Sequence, residues 1–187
     1  MELQAFIEKH RPGQELQKAT QSKLDQYSTR LPVCILELWR DHGFGSYGDG
    51  LIRVVDPEIY NETLYTWLGK KNDKRIPIAL SAFGELFYYR DLGSGQEDVS
   101  MLNVHYKSID VCTWSLNSYF NEFLVDDQTI SDVLRQKLFL EALQKFGPLK
   151  TDEIYSFVPA LAMGGAAEVE YIQKAMALVH LDLLFQM

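Results

Sequence analysis

The segment from residue 76 to residue 114, IPIALSAFGELFYYRDLGSGQEDVSMLNVHYKSIDVCTW, decides the fold class. Its β-branched and aromatic residues fall into four short runs, 76–81, 85–90, 99–106 and 108–114. Short polar turns separate the runs, among them the flexible GSGQED that begins at residue 93. This spacing predicts four consecutive strands of an antiparallel meander.

Helical patterns flank the strands on both sides. Before them, residues 3–9 and 15–28 are predicted to be helical, with a break at the RPG sequence of residues 11–13. After them, apolar residues at helical spacing predict helices over about 115–125, 131–146 and 168–186. Strands between two groups of helices favour an α+β class, an antiparallel sheet meander packed with N-terminal and C-terminal helices, over a parallel α/β sheet.

Two further helices have clear local signals. Pro32 opens the apolar pattern LPVCILELWRDH, which we expect to end at Gly43. Asp56, Pro57 and Glu58 predict the start of the next helix, with Asp56 as the N-cap and proline at the first position.

The loop GFGSYG at residues 43–48 has the letters of a dinucleotide-binding glycine motif. That motif functions when a strand precedes the loop and a helix follows it, because the helix N-terminus then faces the phosphates. Here a predicted helix precedes the loop and the strand-like run LIRVV at 51–55 follows. We therefore interpret the loop as a helix C-terminus and expect no bound cofactor.

Bulk composition limits the classes of function. The chain has 187 residues, of which 47% are hydrophobic, so it can form one sizeable core or two small subdomains. Its N-terminal sequence lacks a secretion signal, and we expect a cytoplasmic protein with no membrane contact. Cys34 and Cys112 lack metal or redox spacing and are predicted to be free, buried thiols. The net charge of −8 argues against direct binding of nucleic acid and suits a basic protein partner, although solubility alone also explains it.

Metal and catalytic motifs are weak. His10, His42, His105 and His180 are isolated in sequence, so we expect no metal site. Ser46 with His42 is a candidate nucleophile and base pair only by proximity along the chain.

Three polar or glycine-containing pairs precede predicted helices. Gly164-Gly165 stands before one and is a candidate ligand loop, but it lacks the lysine and hydroxyl of a P-loop. Asp126-Asp127 and Asp152-Glu153 lie near threonines at apparent helix starts, where carboxylates stabilise the helix N-terminus.

Two stretches resemble a known family. Residues 31–60, with Leu38-Trp39, Gly43-Phe44-Gly45, Gly50-Leu51 and Asp56-Pro57, resemble the GAD-like domain, which would cover about the first hundred residues. The end of the chain, from FGPLKTDEIYSFVPALAMGG to VHLDLLFQM, is similar to the C-terminal domain of type VI secretion DNase immunity proteins. The resemblance implies a GAD-like domain over 1–106 and an immunity-protein C-terminal helical domain over 107–187, packed as one globular unit.

The same resemblance implies a function without catalysis. Such a protein binds a cognate toxic effector, here a basic DNase, and blocks its active site or DNA groove. We expect the partner to contact the loop Tyr47 to Asp49 together with Asp56, Glu58 and Glu62, which offer carboxylates and an aromatic group. A solvated surface without a partner explains the same residues.

Aromatic residues of the motifs are assigned to the core before any interface: Trp39, Phe44, Tyr155 and Phe157. The alternative function is a small cytoplasmic enzyme or ligand-binding protein that uses His42 or the Gly164-Gly165 loop. A role in nucleic-acid transactions is a third possibility, and the acidic charge counts against it.

Overall fold

The computed structural model describes residues 2–187, which form eight helices and eight strands. The helices are α1 Gln4–Lys9, α2 Gln21–Tyr27, α3 Val33–Asp41, α4 Pro57–Leu68, α5 Leu116–Ser118, α6 Asp127–Asp132, α7 Gln136–Phe146 and α8 Ala177–Gln186. The strands are β1 Gly45–Tyr47, β2 Ile52–Val54, β3 Arg75–Ser81, β4 Leu86–Gly93, β5 Gln96–Asn103, β6 Ser108–Thr113, β7 Glu153–Phe157 and β8 Ile172–Met176. This composition confirms the α+β class.

Strands β1 to β6 form one antiparallel sheet in which every strand lies beside its neighbours in sequence. The predicted four-strand meander is therefore confirmed as β3 to β6, and the short strands β1 and β2 extend it at one edge. β7 and β8 form a separate two-stranded antiparallel sheet.

The large sheet has apolar side chains on both faces. Because successive side chains of a strand point to opposite faces, Phe87 belongs to one core while its neighbours Leu86 and Tyr88 belong to the other. The first core includes Trp39 and the aromatic residues of α1, α7 and the turn after α5, and the second packs α4 and α8 against the sheet. The sheet is thus a central layer between helices.

Local signals predicted the helices around the glycine loop correctly. Pro32 caps α3, and Asp56 caps α4 by accepting a hydrogen bond from the Glu58 backbone N–H at 3.1 Å. Gly43 has a φ of +110°, and a Cβ at this position would lie 2.6 Å from the Gln17 backbone. Glycine is therefore required there by both the backbone conformation and the close approach of Gln17 and Lys18.

The helix predicted over 15–28 is wrong in its first part, because only α2 is helical. Residues 12–17 instead lie along the free edge of β1, where the Gly13 N–H donates to the Ser46 carbonyl at 2.9 Å. Gln17 and Phe44 exchange two backbone hydrogen bonds of 2.9 Å. Pairing with a strand that is distant in sequence outweighs the helical pattern of this segment.

The C-terminal helices also differ from the predicted ones. The pattern over 168–186 contains strand β8 and only then α8, and β7 was not predicted. Asp152-Glu153 consequently leads into a strand and not a helix. The span 131–146 is divided between α6 and α7, with Arg135 in a left-handed conformation at the break, and α5 continues as a π-helical turn over Tyr119–Phe123.

The predicted boundary between 106 and 107 falls in the turn between β5 and β6. Strand β6 lies beyond it and pairs with β5, so the sheet crosses this position, and the two-domain division stays a prediction. None of the helices in residues 2–187 has the length and hydropathy that a bilayer crossing requires. Both cysteines are free, with Cys34 buried and Cys112 half-buried, and burial raises the pKa of the Cys34 thiol to about 11.

Candidate partner-binding surface

A groove runs between the N-terminal and C-terminal parts of the chain. It consists of a cleft of about 380 Å³ and an adjoining trough of about 560 Å³, which share Glu15 and Thr151. The cleft lies between β2, the start of α4 and the start of α8, and the trough lies between the 13–16 segment and residues 148–151. We call the two cavities together the junction groove.

Carboxylates line the junction groove along its length. Asp49 lies in the trough, Glu15 at the shared border, and Asp56 and Asp152 in the cleft. Lys150 supplies an exposed positive charge in the trough. Because acidic groups outnumber basic ones on this concave surface, it has the electrostatic character that a basic protein partner requires.

Apolar side chains alternate with these carboxylates. Ile59, Met176 and Val179 line the cleft and are each at least half exposed. Exposed apolar groups next to charged ones are typical of a protein interface, in which apolar area is buried and polar groups form the rim.

The acidic start of α4 is held in place by Lys23. Its ammonium group donates to Asp56 and, at 2.9 Å, to Glu58, and Gln26 donates to the other Glu58 oxygen at 3.1 Å. These bonds from Lys23 and Gln26 lower the pKa of Glu58. Burial acts to lower the pKa of Lys23, but its bonds to Asp56 and Glu58 outweigh burial and raise it. The Glu58 carboxylate is thus ionised, and hydrogen bonds from Lys23 orient both carboxylates.

The five residues predicted to contact a partner are separated by the fold. Asp49 and Asp56 line the junction groove, and Glu58 and Glu62 are exposed on neighbouring turns of α4 beside it. Tyr47 is fully buried, and its hydroxyl donates to the Gly43 carbonyl at 2.7 Å. Tyr47 therefore supports the loop from within the core instead of presenting an aromatic group at the surface.

Arg53 lies at the inner wall of the cleft and was missed by sequence analysis. It is 6% exposed, and its Nη2 donates to the carbonyls of Lys150 and Glu153 at 2.8 and 3.0 Å. Its Nε and Nη1 have no hydrogen-bond partner within residues 2–187. The sequence signal is a single charged residue inside the apolar run LIRVV.

A second charged cluster is buried away from the groove. Glu85, at the start of β4, accepts hydrogen bonds from Ser81 and Arg135, and His105 Nε2 lies 3.5 Å from its Oε1. Burial acts to raise the pKa of Glu85, but Arg135 and then His105 outweigh it and lower that pKa. Burial lowers the pKa of His105, so this histidine is neutral at pH 7. The cluster joins the sheet to the start of α7.

The cluster also limits a catalytic interpretation. Ser81, Glu85 and His105 are each at most 2% exposed, and the His105 ring contacts the Phe83 carbonyl at 3.0 Å. His180 carries a pKa that is lowered by burial and then by His105. His105 and His180 are thus near enough for one to affect the other, although they are isolated from each other in sequence. No group of three potential metal ligands occurs within residues 2–187.

The structure does not form either of the two alternative sites, the His42–Ser46 pair or the Gly164-Gly165 ligand loop. No hydrogen bond joins His42 to Ser46 in the described part of the chain. The Gly164 and Gly165 N–H groups already donate to the carbonyls of Leu161 and Ala160 at 3.1 Å, so they are not free to bind an anion. The helix expected after these glycines is also wrong, since a 3₁₀ turn and β8 follow.

The fold and the groove define the class of the protein. It is an acidic α+β protein with a central meander and a concave surface formed by the N-terminal and C-terminal parts of the chain. Family models match both parts, the GAD-like domain over residues 2–102 and the C-terminal domain of the type VI secretion immunity protein Tdi1 over residues 115–187. The chain therefore belongs to the GAD-like domain family and carries a Tdi1-type immunity domain, as its motifs predicted.

One solved structure shares the whole fold. The crystal structure of Atu4351 from Agrobacterium tumefaciens superposes with a TM-score of 0.74 at 18% identity, covering 98% of this chain and 88% of the other. At this identity the likeness establishes the fold alone. A search of curated proteins finds no match.

Proposed function

We propose that the protein is an immunity protein that binds the toxic domain of a cognate type VI effector in the cytoplasm of the producing cell. In this proposal the effector is a DNase, and the immunity protein blocks its active site or its DNA groove. The protein acts by binding and catalyses no reaction. The observation that carries the proposal is the Tdi1-type domain, which covers residues 115–187.

The junction groove supports a basic partner. A nuclease needs positive charge to bind the DNA backbone, and a surface that carries carboxylates competes for the same groups. The net charge of −8 adds long-range attraction, which raises the association rate with a basic protein. We therefore propose Asp49, Asp56, Glu58 and Glu62 as contacts.

Glu15 and Asp152 extend the proposed contact surface. Both are exposed and line the junction groove, one from each part of the chain. A partner seated there would contact the GAD-like and the C-terminal regions together, which accounts for the presence of both regions in one protein.

The test begins with the gene for the cognate effector, which we expect to lie next to the gene for this protein. Its toxic domain is co-expressed with this protein, co-purified, and assayed for plasmid cleavage. We expect a stable complex and protection of the plasmid. Unhindered cleavage in the presence of excess immunity protein would contradict the proposal.

Two matched charge variants then test the surface. The groove variant carries Glu15→Lys, Asp49→Asn and Asp152→Lys. The control variant carries three substitutions with the same changes of charge at exposed carboxylates outside the groove: Glu8→Lys, Asp132→Asn and Glu122→Lys. Both variants change the net charge equally.

Loss of long-range attraction weakens effector binding equally in both variants, whereas loss of direct contacts weakens binding only in the groove variant. We expect the groove variant to bind at least about tenfold more weakly than the control, which corresponds to about 1.4 kcal/mol. Equal affinities of the two variants would place the contact surface elsewhere.

A further inference from the structure

The cleft contains a buried positive charge without a counter-ion. Arg53 is more than nine-tenths buried, and two of its three guanidinium nitrogens have no hydrogen-bond partner in residues 2–187. Arginine keeps its charge when buried, and a buried charge without a counter-ion destabilises the fold. A native fold retains such a group when something else compensates it.

The carboxylates of the cleft do not provide this compensation. Asp56 accepts hydrogen bonds from Lys23 and from the Glu58 N–H, and it forms no ion pair with Arg53. Asp152 is exposed, and it likewise makes no ion pair with Arg53. The guanidinium is instead fixed by two backbone carbonyls, which orient it without neutralising it.

Much of the remaining cleft wall is apolar. Phe44, Val55, Ile59, Leu178 and Val179 form its walls, and its volume of about 380 Å³ falls in the range of small-molecule sites. Apolar walls around one oriented polar group are typical of sites that bind a mainly hydrocarbon ligand by one polar end.

Charges at the mouth restrict the charge of the ligand. Glu15, Asp56 and Asp152 line the cleft, and they would repel a phosphate ester or a nucleotide, which carries several negative charges. A single carboxylate meets less repulsion and is compensated by Arg53. Tyr60 also lines the cleft; burial raises its pKa more than the neighbouring Arg53 lowers it, so the hydroxyl keeps its proton and can donate it in a hydrogen bond to a carboxylate.

We propose that the cleft binds a small molecule with one carboxylate on an apolar body, with the carboxylate at the Arg53 guanidinium and the hydrocarbon between α4 and α8. This site shares the cleft with the proposed partner surface, but the proposal does not rest on the immunity function, because its test uses the protein without an effector. Because its walls come from both parts of the chain, the ligand stabilises the junction between them.

The test uses octanoate as the probe, with octan-1-ol and octylamine as controls of the same chain length. Binding to the full-length protein is measured by isothermal titration calorimetry and by the shift in melting temperature. We expect saturable, one-to-one binding of octanoate that is at least about tenfold tighter than that of either control, since a charge-assisted hydrogen bond distinguishes them. Equal binding of octanoate and octan-1-ol, or absence of octanoate binding, would overturn the proposal.

Variants locate the binding site. Arg53→Gln removes the charge and is expected to weaken octanoate binding about tenfold or more while octan-1-ol binding stays unchanged. If Arg53→Gln does not fold, two substitutions at exposed residues of α8 test the location of the site instead. Val179→Glu places a carboxylate in the cleft and should abolish binding, whereas Leu183→Glu, which lies outside it, should not. The same affinity in both α8 variants would refute the site.

Discussion

Replacing Arg135 by methionine tests the buried charge cluster that joins the sheet to α7. The substitution keeps the side-chain length but removes the positive charge that Glu85 contacts. It also keeps a non-glycine residue at a φ of +51°, so any backbone strain at this position is the same in both proteins.

The expected cost follows from the burial of Glu85, which is 1% exposed. Removing one partner of a buried ion pair typically costs about 3–5 kcal/mol, because the remaining charge is left uncompensated. For a chain of this size each kcal/mol lowers the melting temperature by about 2–4 °C, so we expect a decrease of about 6–20 °C. Glu85→Gln should cost less, since Arg135 is 18% exposed and reaches water.

The dependence on pH distinguishes this mechanism from a simple loss of packing. In the natural protein the pKa of Glu85 is lowered, so its contribution to stability is present above the unfolded-state pKa of about 4.3 and is lost as the pH falls through the folded-state pKa. Without Arg135, burial dominates and raises the folded-state pKa of Glu85. The variant then gains a proton on folding, and its deficit relative to the natural protein shrinks as the pH decreases.

The assay is urea unfolding of the natural protein, Arg135→Met, Glu85→Gln and the double variant between about pH 8 and about pH 5. His105 also faces Glu85. Protonation of His105 at low pH would likewise make the deficit of the variant smaller. In the double variant the carboxylate is absent, so both the deficit and its pH dependence should be smaller than in Arg135→Met. A deficit below about 1 kcal/mol, or one that is constant with pH, would refute the reasoning.

Two further predictions concern buried contacts. His10 is 3% exposed, its Nε2 lies 2.6 Å from the Leu124 carbonyl, and burial lowers its pKa. The folded state with neutral His10 therefore loses stability as the pH falls below the unfolded-state pKa of about 6.5. His10→Gln should reduce the change in urea midpoint between about pH 7.5 and about pH 5.5. An unchanged pH profile in this variant would count against the prediction. Gly165→Ala should cost about 3 kcal/mol of stability, because its Cβ would lie 1.9 Å from the Pro159 carbonyl oxygen. Gly164→Ala should cost about 1 kcal/mol, because Gly164 has a φ of +84° but open space around it. The reverse order in urea unfolding would contradict the packing.

Residues close in sequence determined much of the fold. Helix α4 was predicted from Asp56 and Pro57 because a cap and a proline act on the backbone within one turn. The meander was predicted because short turns leave consecutive strands no other simple partner than each other. The burial of Trp39 and Phe157 also followed from their apolar surroundings in the sequence.

Tertiary structure decided the features that depend on distant residues. Residues 15–17 and strand β8 have helical patterns but are extended, since backbone pairing with β1 and with β7 satisfies more hydrogen bonds than an isolated helical turn. Glu85 and Arg135 are fifty positions apart in the chain, and no local sequence pattern predicts that they pair.

The junction groove belongs to the same category. The sequence determined the net negative charge of the protein, because charge is a sum over residues and needs no coordinates. Only the tertiary structure brought Glu15 and Asp152 to one cavity, placed Arg53 at its inner wall and buried Tyr47. The physical reason is that packing of the two ends of the chain against each other, rather than any local propensity, decides which side chains share a surface.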